Sequence, residues 1–184
     1  MARPHDAACM LAAIKLSEDA AKSGHMPFGA VLADAEGKIL AEAHNQSVVA
    51  AKRGGSGDVT RHAEMELVRK ICAPESGLGP EIRAKCTLYT STEPCVMCAG
   101  AIYWSQVGRV VFGASSEDLV QLSGPGGFDV PLEKLYSMGR EGTRKIEIHG
   151  PVLSEEAMKI HSASGCWRGL KRAASPNPPQ DEQC

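Results

Sequence analysis

Cys86-Thr87-Leu88-Tyr89-Thr90-Ser91, then Pro94-Cys95-Val96-Met97-Cys98, then Arg109-Val110-Val111-Phe112-Gly113-Ala114 decide how this chain folds. The two outer runs are rich in β-branched and aromatic residues and read as strands. Pro94 stands where a helix is expected to open, because proline is favoured at a first helical position. Working upstream, Phe28-Gly29-Ala30-Val31-Leu32-Ala33 reads as a buried strand, Asp34 to Lys38 as a turn, and Ile39 to Ala43 as its hairpin partner. Downstream, Lys145-Ile146-Glu147-Ile148-His149 alternates as a fifth strand.

Helical patterns fill the gaps. Asp6 is expected to cap a helix that carries Ala7, Met10, Leu11, Ile14 and Ala21 on one face and stops at Gly24. A second helix runs from about His62 to Cys72, with Met65, Val68, Ile71 and Cys72 at helical spacing, and Pro74 to Pro80 breaks it. Ser116 to Val120 begins a short helix whose acids suit the positive end of its dipole. Past residue 123 the pattern weakens, and Gly124-Pro125-Gly126-Gly127 marks a loop. Ser154 is expected to cap a last helix, with Leu153 and Met158 at staple positions. The sum is an α/β architecture: a mixed five-stranded sheet with helices on both faces. Residues 1–172 are expected to form a single domain and 173–184, with Pro176, Pro178 and Pro179, a disordered tail. Residues 46–60 read as a loop whose glycines mean flexibility, since no Gly-Lys-Ser/Thr follows to make a phosphate-binding loop.

Composition narrows the function. The chain has 184 residues, a length that suits one domain with no need of a disulfide framework. Twenty basic against 22 acidic residues exclude a global electrostatic pull toward nucleic acid. No apolar run of membrane-spanning length occurs, and the N-terminus lacks a secretory pattern. Seven cysteines, an odd number, argue against complete pairing and for a reducing, cytoplasmic location. Cys9, Cys72 and Cys86 lie in apolar segments and read as small buried hydrophobes.

His62-Ala63-Glu64 and Pro94-Cys95-Val96-Met97-Cys98 carry the chemistry. Alone, a Cys-x-x-Cys is a redox pair or half a structural zinc site, and a His-x-Glu says little. Together, each at a helix start, they match the His-x-Glu and Pro-Cys-x-x-Cys signature of zinc deaminases. Cys95 and Cys98 are three apart, so their sulfurs share a face near a helix N-terminus that favours thiolate. His62 supplies a third ligand, and three ligands leave one tetrahedral position for water, as in catalytic zinc sites. Zinc lowers the pKa of such a water from about 15.7 toward ~7. His44 and Cys86 are distant candidates for a fourth ligand but read better as structural residues. Glu64, two residues past His62, projects about 200° around the helix from it and is assigned general base and then general acid.

The run Glu93 to Ala101, followed by Gly108 to Ala114, resembles bacterial tRNA adenosine deaminases, and residues 25–115 as a whole resemble the cytidine deaminase-like superfamily. Pro27-Phe28-Gly29-Ala30-Val31 and Ala101-Ile102-Tyr103-Trp104 are similar to the guanine deaminase branch. The resemblance implies a three-layer α-β-α fold with one Zn²⁺ per chain. It implies that Asn45 hydrogen-bonds the substrate and that the Ala63 N–H contacts its carbonyl or ring edge, although Asn45 also reads as a turn residue. Phe28 and Trp104 become either pocket walls or core. A proton shuttle is implied near Glu117 and Asp118, and Trp167 becomes either a lid over the active site of the partner subunit or an anchor for the last helix. Association through the helices that bear the zinc ligands implies a homodimer.

The chain departs from that pattern at Asp58-Val59-Thr60-Arg61, preceded by an insertion around 50–57; Arg61, beside a zinc ligand, either points to solvent or binds an unusual substrate. The expected function is hydrolytic deamination of a small purine-like base or nucleoside, guanine-type first, with no membrane partner. The alternative is adenosine-to-inosine editing of tRNA, which Arg168, Lys171 and Arg172 keep in play. A zinc-stabilised interaction domain without catalysis is the reading from a different class.

Overall fold

The structure is a computed structural model and describes residues 2–47, 57–124, 128 and 130–167. The 173–184 tail, the basic run from Arg168 and residues 48–56 of the glycine-bearing loop lie outside the described residues.

Five strands form one sheet in the order β2-β1-β3-β4-β5. They are β1 (Gly29–Ala33), β2 (Ile39–His44), β3 (Thr87–Thr92), β4 (Arg109–Ala114) and β5 (Glu147–His149). β1 runs antiparallel to β2 and β3, while β3, β4 and β5 are parallel, so the sheet is mixed. Seven α-helices are present among the described residues: α1 (Asp6–Lys22), α2 (Ala63–Cys72), α3 (Pro80–Arg83), α4 (Val96–Ser105), α5 (Ser116–Ser123), α6 (Leu132–Ser137) and α7 (Ser154–Ser164).

Side-chain alternation explains the layers. In β1, Ala30 and Leu32 join a cluster with α2, α4 and α6, while Val31 and Ala33 join one with α1 and α7. Leu88 and Val110 repeat the first face and Tyr89 and Val111 the second. A strand buried on both faces loses the polar alternation of a solvated one, hence its continuous apolar run. β1 can lie against α1 because Gly29 has no side chain: a Cβ there would stand 2.2 Å from the carbonyl oxygen of Ala13.

Several local expectations are corrected. Asp6 does not cap α1; His5 holds that position, and Asp6 turns inward to a buried ion pair with Arg109. Ser154 is the first residue of α7 rather than its cap, which is Leu153 in a left-handed conformation; the Ser154 hydroxyl donates to Asp118. α4 starts at Val96, two residues past Pro94, with Cys95 as its N-cap. Cys9 and Cys86 are buried but Cys72, at the end of α2, is exposed. A 3-10 turn at Pro74–Ser76 and the helices α3 and α6 fill stretches where no element was expected.

Arg109 is only 2% exposed. Its guanidinium donates to both oxygens of Asp6 at 2.7 and 2.9 Å and to Glu147 at 3.1 Å. Asp6 also accepts from Tyr89 Oη and from the Arg3 backbone N–H. Burial alone would raise the Asp6 pKa, but these hydrogen bonds, that from Arg109 first, hold it well below the usual carboxylate range.

Candidate metal centre and active site

α2 and α4 both begin at a residue of the metal motif. His62 is the N-cap of α2 and Cys95 the N-cap of α4, each in extended backbone conformation. Cys98 lies one turn into α4 and is buried, whereas Cys95 is exposed. His62 Nδ1 stands 3.6 Å from Cys95 Sγ and 3.5 Å from Cys98 Sγ. One donor atom from each of the three falls within 4.8 Å of the others, and among the described residues no other such group of His, Cys, Asp and Glu forms. Neither His44 nor Cys86 joins it.

The donor chemistry suits zinc. Cys95 is pulled down to about 4, first by the hydrogen bond it receives from Cys98 and then, against burial, by His62. The Cys98 thiol is pushed up by that same bond and by burial. His62 is raised, chiefly by its hydrogen bond to Cys95. Two sulfurs and an imidazole nitrogen form the soft three-ligand set that zinc takes.

Glu64 is buried beside this group. Its Oε2 accepts from Cys98 Sγ at 3.5 Å and its Oε1 from Thr90 Oγ1 at 3.2 Å. Burial pushes its pKa above the ordinary carboxylate range. Because His62 is a cap rather than a helical residue, the angle between the two side chains is set by extended backbone, and Glu64 reaches the ligand cluster instead of pointing opposite to it.

The sheet brings further residues to this end. Thr90 pairs with Ala30, and His44 with Gly29, so Phe28 and Asn45 end their strands beside it. The Asn45 backbone N–H donates to the Phe28 carbonyl, and Gln46 N–H donates to Arg61, the residue before His62. Asn45 is buried, and its Oδ1 accepts from both the N–H and the hydroxyl of Ser47, at 2.9 and 2.7 Å. Those two donors identify the oxygen, leaving Nδ2 as the end available to donate. Ala63 opens α2, so its N–H is among the four without an i−4 partner.

Phe28 meets His161 edge-on at 5.1 Å between ring centroids, and Trp167 at 6.2 Å. His161 is bound through Nε2 to Thr92 Oγ1 at 2.8 Å, and burial lowers its pKa to about 4, so the ring is neutral. Trp167 therefore lies against the Phe28 of its own chain.

Other expected residues are not brought to the cluster. Trp104 is 79% exposed and packs edge-on against Tyr103. It stands two positions from buried Ile102, which turns it to the opposite side of α4. Glu117 is exposed in the first turn of α5, and Asp118 is occupied by the capping box with Ser115 and by Ser154. Arg61 pairs with Glu66 and Gln46. Sequence reasoning missed Thr90, His161 and Glu93. The Glu93 carboxylate accepts from the backbone N–H of Ser116, which opens α5, and of Leu132, which opens α6. The Glu-Pro-Cys order is the one available clue to Glu93.

Residues 3–114 match the model of the cytidine and deoxycytidylate deaminase zinc-binding region. This chain belongs to that family. The deaminase is 39% identical to a probable cytosine deaminase of Schizosaccharomyces pombe over 168 residues, covering 89% of this chain and 93% of the relative. It is 41% identical to a guanine deaminase of Bacillus subtilis over 103 residues, 56% of this chain and 57% of that one. A solved structure from work on A-to-I editing by tRNA:A34 deaminases superposes with a TM-score of 0.61 at 25% identity, over 83% of this chain and 98% of its own. The deaminase is thus a zinc-dependent hydrolytic enzyme, and the non-catalytic reading is set aside. No helix among the described residues is long and apolar enough to cross a membrane.

Proposed function

We propose that the deaminase hydrolyses a small free base bearing both an amino group and a ring carbonyl, cytosine-type before guanine-type, and releases ammonia. The orientation of Asn45 carries this reading. Its amide oxygen is occupied by Ser47, so it offers N–H to the substrate, which suits a carbonyl oxygen. Adenine-type rings have no carbonyl, which places tRNA adenosine second. The sequence motifs favour guanine, but the match to the fission-yeast relative extends over α7, whose His161 builds the wall beside Phe28.

The zinc ion held by His62, Cys95 and Cys98, when bound, supplies Lewis-acid activation of water. Glu64 takes a proton from the attacking water and delivers it to the ring nitrogen beside the amino-bearing carbon. Oxygen adds at that carbon, Glu64 then takes the remaining proton of the added hydroxyl and gives it to the amino group, and the C–N bond breaks to release ammonia and leave a ring carbonyl. The Ala63 N–H and Asn45 Nδ2 hold the base, Phe28 supplies an apolar wall, and Trp167, edge-on to it, serves as the lid.

The deaminase is further read as a homodimer through α4. Trp104, Tyr103, Val96, Gly100 and Leu135 line an open groove of about 540 Å³ on the α4–α6 face, and a second copy would cover it. The free thiols among the described residues fit a reducing cytoplasm.

Ammonia release from cytosine, guanine, guanosine, adenosine and tRNA tests the reading. Turnover of cytosine or guanine, weakened roughly 10–100-fold in kcat/KM by Asn45→Leu, is expected from loss of a buried hydrogen bond. Activity on tRNA alone, falling steeply with salt, overturns it.

A further inference from the structure

The two carboxyl oxygens of Glu64 face different neighbours. Oε2 meets Cys98 of the metal group, while Oε1 lies 3.2 Å from Thr90 Oγ1. That same hydroxyl stands 3.1 Å from the carbonyl oxygen of Thr92, and Thr90 is wholly buried in β3. A hydroxyl has one proton to give and lone pairs to receive one. Between two acceptors it donates preferentially to the charged one, since charge-assisted bonds are about twice as strong as neutral ones. The fold does not require the hydroxyl: valine has the same shape and is well suited to a buried strand.

We infer that Thr90 is a positioning residue for Glu64, holding one carboxyl oxygen through its hydroxyl so that the other faces the metal and the substrate. The inference rests on the proton-carrying role proposed for Glu64, and its failure is separable from the failure of that role.

The test compares zinc-loaded Thr90→Val and Thr90→Ser with the parent on whichever base the parent turns over best. Misaiming a catalytic group costs roughly 10²-fold, so Thr90→Val is expected to lose about 10–100-fold in kcat. KM should stay within about twofold and zinc at one per chain, because no ligand or substrate contact is removed. Thr90→Ser keeps the hydroxyl and should return kcat to within about threefold of the parent. Parental kcat in Thr90→Val overturns the inference, as does an equal loss in Thr90→Ser, or a loss that follows zinc content. If Thr90→Val does not fold, Thr90→Ala against Thr90→Ser is read in the same way. Glu64→Gln separates the two ideas. Full turnover in Glu64→Gln removes the role of Glu64 itself, whereas an inactive Glu64→Gln beside a fully active Thr90→Val removes only that of Thr90.

Discussion

Replacing Asp6 with asparagine keeps the size of the side chain and removes its charge. Asp6 accepts from four donors, two on Arg109, one on Tyr89 and the Arg3 N–H, and both members of the ion pair are almost fully buried. Breaking a buried pair from one side costs about 3–5 kcal/mol, because the remaining charge is left without compensation. For a chain of 184 residues, unfolding entropy of about 2.1 cal/mol/K per residue converts this into a fall in Tm of about 8–13 °C. The pH dependence has a definite sign. The Asp6 pKa is depressed in the folded state, so its contribution is complete above the unfolded value of 3.8 and is lost as pH falls below it toward the folded value. Melting followed by circular dichroism at pH 7 and near pH 3 should show a large gap between parent and Asp6→Asn at pH 7 and a narrower one in acid. Asp6→Ala combined with Arg109→Met should recover much of the loss, since an apolar pair leaves no stranded charge. A fall of less than 2 °C at pH 7, or a gap that widens in acid, would refute the reasoning.

Glu64→Ala is expected to retain zinc by elemental analysis and to lose at least about 10²–10⁴-fold in kcat, the range of general acid–base catalysis. Cys95→Ser should lower zinc content and turnover together; unchanged metal would remove Cys95 from the ligand set. Arg61→Ala breaks the bonds to Glu66 and Gln46 and should cost no more than about 1 kcal/mol, with kcat/KM within about threefold of the parent, because Arg61 is itself 41% exposed and buried Glu66 keeps Arg69 as a second partner. A hundredfold loss with zinc retained would place Arg61 in substrate binding after all. Trp104→Glu should shift the mass measured by sedimentation from two chains to one, and an unchanged mass in both forms would put the α4 groove outside any subunit contact.

The central strands and the metal motif were readable because both are local. Val110-Val111 and Leu88-Tyr89 supply residues to the two cores by simple alternation, and His62, Cys95 and Cys98 are defined by their spacing and their helix starts. What escaped depends on partners far away in the chain. α6 begins where the Leu132 N–H meets Glu93, 39 residues earlier, and nothing within Leu132–Ser137 announces it. Asp6 has the composition of a cap, but Arg109, 103 residues on, outcompetes the helix N–H groups for its carboxylate. Trp104 was legible as a large apolar residue near the motif, yet its side of α4 depended on where the helix begins. Thr90 and His161 look like an ordinary strand threonine and helix histidine until Glu64 and Thr92 are placed beside them.

Neither His62 nor Cys95 gives its own helix a side-chain capping bond. Each side chain turns to the metal group instead, so the first amide hydrogens of both helices open beside the three ligands, with the Glu64 carboxylate among them. The two helices thereby trade a little security in their first turns for a cushion of partial positive charge that favours the ionised sulfurs a metal binds.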